Sequence, residues 1–97
     1  MATYIVLTKY TQQGMHNIKE SPARFDAAKK AMQSMGGDIK QVFLTMGQYD
    51  LVVIAEAPDD ETIAKFALAT GALGNVSTQT LRAFNEDEFR KIVAGLP

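Results

Sequence analysis

The chain has 97 residues, 46% of them hydrophobic and 22% charged, a balance that suits a soluble globular domain and argues against disorder. Ten Lys and Arg against eleven Asp and Glu leave a net charge of -1 with no basic run, so nothing here matches a nucleic-acid backbone. Cys is absent and His occurs once, which excludes disulfides, thiolate metal sites, cysteine nucleophiles and a multi-histidine centre within one chain. No apolar run reaches the roughly 18 residues of a membrane-spanning helix. The N-terminus also lacks the basic and long apolar regions of a secretory signal. One domain over residues 1–97, cytoplasmic and without a membrane partner, is the expectation.

Residues 3–10 are β-branched and aromatic, without Gly or Pro, and read as a first strand. Residues 11–17 are polar and broken by Gly14, so a loop is expected. Ser21-Pro22 then reads as a helix start, with Ser21 as N-cap and Pro22 in the first helical position. Phe25, Ala28, Met32 and Met35 follow at helical spacing, and Gly36-Gly37 closes the helix. Residues 38–46 and 49–57 read as two strands joined by a tight Gly47-Gln48 hairpin. Leu51 to Ala55 is continuously apolar, the pattern of a central strand covered on both faces. Pro58-Asp59-Asp60-Glu61 opens a second helix whose buried stripe is Ile63, Phe66, Ala67 and Thr70. Residues 76–84 form a fourth, Thr-rich strand. Asn85 and Glu88 make a capping box before a short terminal helix carrying Phe89, Ile92 and Val93.

The order β-α-β-β-α-β plus a terminal helix is the ferredoxin-like α+β pattern, with both helices on one face of the sheet. Alternation along the strands sorts the side chains into two sets. Ile5, Leu7, Val42, Leu44, Val52, Ile54, Leu81 and Ala83 are uniformly apolar and are expected beneath the helices. Tyr4, Val6, Thr8, Gln41, Phe43, Thr45, Leu51, Val53, Thr78, Thr80 and Arg82 are then left on the open face. That second set is still apolar enough to need cover, which predicts an isologous sheet-to-sheet homodimer or a higher homo-oligomer. Its hydroxyls and single guanidinium are also the kind of sparse polar groups that orient a small molecule, although Thr is a good strand former in its own right.

At Gly47-Gln48-Tyr49-Asp50 the chain resembles the GYD-domain family, named for that turn. The resemblance runs through Tyr4-Ile5, Thr11 and Gly14, Ile18-Lys19, Ser21-Pro22 and Arg24. It continues at Glu56-Ala57-Pro58-Asp59-Asp60, Gly74-Asn75-Val76 and Thr78-Gln79-Thr80-Leu81-Arg82-Ala83-Phe84. It implies a ferredoxin-like fold and no settled activity. More distantly, Gly-x-Tyr-Asp, an apolar strand, a helix and a Thr-x-Thr strand are similar to the ligand-binding domain of leucine-responsive-type regulators. Those domains are dimeric and sense small metabolites; this chain lacks their helix-turn-helix. The resemblance therefore implies a dimeric α+β barrel acting as a stand-alone sensor or carrier.

The expected site takes a small anionic or zwitterionic metabolite near the subunit junction. Arg82 and Lys19 would hold the anion, with Arg24 as a further cationic candidate. Thr80 and Tyr49 would donate hydrogen bonds, and Asp50 would meet an ammonium or fix the Gly47 turn. Arg82 could instead pair with Asp50 or Glu56. Two rival readings stand beside the sensor. One is a cofactor-free oxygenase or isomerase using His16, Tyr49 or Glu56 as acid or base; the other is an assembly protein with no ligand. Glu56, Asp59, Asp60 and Glu61 fall where a helix dipole already accounts for most of them, so no metal is expected. No phosphate loop, dinucleotide fingerprint or nucleophile motif occurs, and neither a cofactor nor a catalytic residue is assigned.

Overall fold

The computed structural model describes residues 1–97. Strands β1 (Ala2–Tyr10), β2 (Asp38–Leu44), β3 (Leu51–Ala57) and β4 (Val76–Ala83) form one antiparallel sheet in the order β2-β3-β1-β4. Helices α2 (Ser21–Ser34) and α3 (Asp60–Ala72) lie on one face, preceded by a short α1 (Gln12–His16) and followed by a terminal α4 (Glu86–Ala94). A single 3-10 turn, Ile18–Glu20, joins α1 to α2. The architecture is α+β and fits the ferredoxin-like pattern, with β1 and β3 central.

Local chemistry explains most boundaries. Asp59 caps α3 by accepting the Thr62 backbone N–H at 2.8 Å, and Asn85 and Glu88 close both bonds of the capping box on α4. Gly36, at φ +87°, takes the left-handed conformation just past α2, and the Gly37 N–H bonds back to the Met32 carbonyl.

Three local expectations are corrected. Residues 11–17 are not an open loop: Thr11 caps α1 by accepting the Gly14 N–H at 3.1 Å, which converts a polar, Gly-containing stretch into a helical turn. Ser21 is not the N-cap of α2. Its backbone is already helical and its hydroxyl is instead taken by the Tyr10 phenol at 2.5 Å. The β2–β3 connection is not a two-residue hairpin. The strands stop at Leu44 and restart at Leu51, and Thr45 N–H bonds to the Asp50 carbonyl at 2.8 Å across the wider turn.

The largest correction concerns the faces of the sheet. Register places Tyr4, Val6 and Thr8 opposite Ala55, Val53 and Leu51 on one side and opposite Arg82, Thr80 and Thr78 on the other. Tyr4, Val6, Thr8, Leu51 and Ala55 are all buried, so this set lies under the helices. Ile5, Leu7, Val52, Ile54 and Leu81 form the open face. The assignment is thus inverted for three strands. The fourth, β2, keeps Val42 and Leu44 on the helix side because a bulge at Lys40 shifts its register and with it the side-chain parity. Both sets are apolar enough to be core, so composition alone could not rank them.

The packed core sits at one end of the layers. Tyr4, Ala55, Ala57 and Ile39 from the sheet meet Met32 of α2 and Ile63 and Phe66 of α3. Full burial of a side chain such as Met32 contributes about 1.5–3 kcal/mol. Towards the other end, around Thr8, Leu51 and Thr78, the layers part.

Candidate functional site

The inner faces of the helices are short on bulk. Ala27, Ala28 and Ala31 of α2 and Ala69 of α3 look at a sheet surface carrying Thr8, Leu51, Val53 and Thr78, and they leave a cavity of about 320 Å³. Phe25 of α2, Met35 just past its end, Phe66 and Thr70 from α3, and Asn75 complete much of the wall. Most of the lining is apolar, with a few hydroxyl and amide groups, which is the make-up of a small-molecule site at the small end of the roughly 300–1,000 Å³ range. A second, more open recess shares Tyr10, Ser21, Phe25, Val42 and Leu51 with it and adds Lys29 and Lys40, so the cavity leads outward between α2 and β2.

Arg24 is the one charged residue in the cavity lining. Its Nη1 donates to the Asn17 carbonyl at 3.3 Å and stands 3.8 Å from the exposed Glu20 carboxylate. Its Nη2 is buried with no hydrogen-bond partner. A buried donor left without an acceptor costs free energy comparable to a lost hydrogen bond, and more for a charged group. The sequence carried a signal for this residue. Arg24 lies three positions after Ser21 and four before Ala28, inside the same helical stripe as Met32, where a charge is out of place.

The end of the cavity is closed by contacts between distant parts of the chain. Thr11 N–H donates to the Asn75 carbonyl at 3.0 Å and the Thr11 hydroxyl to the Gly74 carbonyl at 2.6 Å. Gln13 Nε2 donates to Asn75 Oδ1 at 3.1 Å. Gly14 packs directly on the Asn75 backbone, where a Cβ would collide with the carbonyl.

The five residues expected from sequence to hold a ligand are not brought together, and none lines this cavity. Thr80 and Arg82 are on the helix side of β4. The Arg82 guanidinium stacks 4.3 Å from the centre of the Phe84 ring and 5.7 Å from that of Tyr4, and it donates to the Ala83 carbonyl; it pairs with neither Asp50 nor Glu56. Tyr49 is on the opposite side, donating to Gln79 Oε1 at 2.5 Å beneath the Lys9 ammonium. Asp50 accepts the Tyr10 N–H at 2.9 Å and so ties the end of β1, a different anchor from the expected Gly47 turn. Lys19 is exposed on the 3-10 turn.

The acid–base candidates are equally dispersed. His16 is exposed on α1, and Glu56 is 3.3 Å from Lys40. Lys40 also reaches Asp38 at 3.2 Å, and hydrogen bonds to the two carboxylates raise its pKa. Hydrogen bonds from Thr62 hold the Asp59 carboxyl below its usual range, and Asp60 accepts the Tyr4 phenol. Burial, then this bond to Asp60, pushes the Tyr4 phenol up to about 12. The carboxylates, Lys40 and Tyr4 are thus engaged locally, and His16 faces solvent. No three acidic or imidazole side chains are grouped to hold a metal ion.

An antiparallel α+β sheet with helices on one face and a small cavity under them defines the class. The GYD-domain family model matches residues 4–93, and the chain belongs to that family. A relative from Thermus thermophilus, the glutamine synthetase and cystathionine beta-lyase binding protein, is 31% identical over 84 residues, covering 86% of this chain and 88% of the relative. The crystal structure of TTHA0845, also from Thermus thermophilus, is similar at a TM-score of 0.51 and 26% identity, covering 88% of this chain and 95% of that one.

Proposed function

We propose that the chain is a self-associating module that binds a small molecule, with no chemistry of its own. The observation that carries the reading is the sheet covered on one face only. Its open side presents Ile5, Leu7, Val52 and Ile54 in the middle, with Leu81 at 40% and Phe43 at 48% exposure around them. Lys9, Tyr49 and Gln79 form a polar border at one end. An apolar centre with a polar rim is the make-up of an interface between subunits, and two such sheets stack about 10 Å apart to form a dimeric α+β barrel. Assembly covers this face and leaves the helix-side cavity of each copy open for its ligand. The ligand site in this reading lies within one subunit, backed by the sheet that makes the junction. Cytoplasmic location remains part of the proposal.

A protein partner is a second use of the same module. The relative is named for binding two enzymes, and α4 offers a surface for such contact: Phe89, Ile92, Val93 and Leu96 are all exposed, and the helix buries no residue of its own. No helix is long and apolar enough to cross a membrane.

Sedimentation velocity across a concentration series tests the assembly. Wild type is expected to sediment as a dimer or larger, and Ile54→Lys, which sets a charge in the centre of the open face, as a folded monomer. A wild type that stays monomeric at about 100 μM, well above the Kd range of stable interfaces, would remove the basis of the reading.

A further inference from the structure

We propose that the helix-side cavity takes an apolar molecule ending in a single carboxylate, and that Arg24 is its anchor. This rests on the reading of the chain as a small-molecule-binding module and names the class of ligand.

The charge of the cavity decides the class. Arg24 is its one charged lining residue, and no Asp or Glu joins it there. A zwitterionic amino acid would therefore leave its ammonium among apolar walls with no counter-ion, at the full cost of desolvating a charge. A phosphate brings close to two negative charges against one guanidinium. A monocarboxylate balances the site one for one.

The state of the guanidinium points the same way. Its position is fixed on one side by Nη1 and the Asn17 carbonyl, while the Glu20 carboxylate stays at 3.8 Å and largely in solvent. Nη2 has lost water and gained no acceptor. A carboxylate oxygen supplies that acceptor once a small turn of the side chain brings Nη2 to the cavity surface, and the planar fork suits carboxylate geometry better than a point cation would. The remaining wall fits the rest of such a molecule. Phe25, Ala28, Val53 and Phe66 provide apolar surface, and Thr8 and Thr78, opposite each other across β1 and β4, add two hydroxyl-bearing side chains to it. Lys29 and Lys40 edge the outward recess; Lys40 is neutralised by Asp38 and Glu56, which leaves Lys29 as the cation at that edge.

Three eight-carbon probes separate the head groups: sodium octanoate, octan-1-ol and octylammonium chloride, titrated into wild type and Arg24→Met by calorimetry. Methyl chemical shifts locate the contact, with Val53 and Thr8 reporting the cavity and Val52 and Ile54 the open face. Octanoate is expected to bind wild type at least tenfold more tightly than octan-1-ol, with octylammonium weakest, and to shift Val53 and Thr8. Arg24→Met is expected to lower octanoate to the level of octan-1-ol while leaving octan-1-ol unchanged. Equal binding of octanoate and octan-1-ol, or shifts confined to Val52 and Ile54, would overturn the carboxylate assignment. Equal binding accompanied by Val53 and Thr8 shifts leaves the small-molecule reading standing, whereas no binding of any probe removes both. Should Arg24→Met fail to fold, the wild-type order of the three probes and the methyl map decide alone.

Discussion

Gly14 and Asn75 are 61 positions apart in the chain yet touch backbone to backbone, and this explains why Thr11, Gly14 and Gly74-Asn75-Val76 recur together in the resemblance to the GYD family. Nothing larger than hydrogen fits at Gly14. Gly14→Ala is expected to destabilise the fold by about 2–3 kcal/mol, the cost of forcing a rigid neighbour to move, which urea unfolding would show as a lower midpoint. Tyr4 makes a different kind of prediction. Its phenol is buried and donates to Asp60, so the neutral form is favoured in the folded state and the pKa is raised from 10.0 to about 12. Below pH 10 that preference contributes fully. Between pH 10 and 12 the unfolded chain releases the proton and the folded chain retains it, so stability falls as pH rises. Wild type should lose on the order of 2–3 kcal/mol more than Tyr4→Phe across that window. Parallel pH dependence of the two proteins in denaturant titrations would contradict it.

Among the elements, α4 stands apart. Its capping box is complete, and Glu86 and Arg90 are paired at 2.6 Å, but a nine-residue helix that buries nothing is marginal in water. Its backbone amides are expected to exchange within seconds in the monomeric Ile54→Lys variant and to be protected in assembled wild type. Equal protection in both would show that α4 is held by its own subunit. This helix was legible from Asn85, Glu88 and the spacing of Phe89, Ile92 and Val93, because caps and periodicity are local signals. The order of the four strands and three longer helices was legible for the same reason, and their pairing followed from the topology that order implies. The orientation of the sheet was not. It depends on which of two apolar faces the helices choose, and contacts between distant segments such as Tyr4 to Asp60 fix that choice, while one extra residue at Lys40 resets the parity of β2 alone. The expected site residues lie apart from the cavity. Alternation alone puts Thr8 and Thr78 on an exposed face, whereas they lie over the cavity, and Arg24 differs from the other two cations, Lys19 and Arg82, by its place in an apolar stripe.

At the scale of the whole molecule, the shape is a slab, 51 × 31 × 18 Å, and only 13 of 97 residues are buried. One helix layer over one sheet gives little interior, so the proposed assembly would add to stability as well as to function. For an assembling chain, the thermal midpoint should rise with protein concentration, by mass action on the folded dimer, and Ile54→Lys should abolish that dependence. A midpoint independent of concentration in wild type would mean that each slab is stable alone.

The sheet is also a wall with two tenants. Leu51 and Val53 face the cavity while Val52 and Ile54, their immediate neighbours on β3, face the open side. Strand β3 cannot move towards one without moving away from the other. In the proposed assembly, occupancy of the cavity and pairing of two copies would therefore share a coupling free energy, and linkage would make it reciprocal. Whatever factor a bound carboxylate applies to the dimer equilibrium, the dimer applies to the affinity for that carboxylate. On that reading, a change in oligomeric state would itself report the bound metabolite.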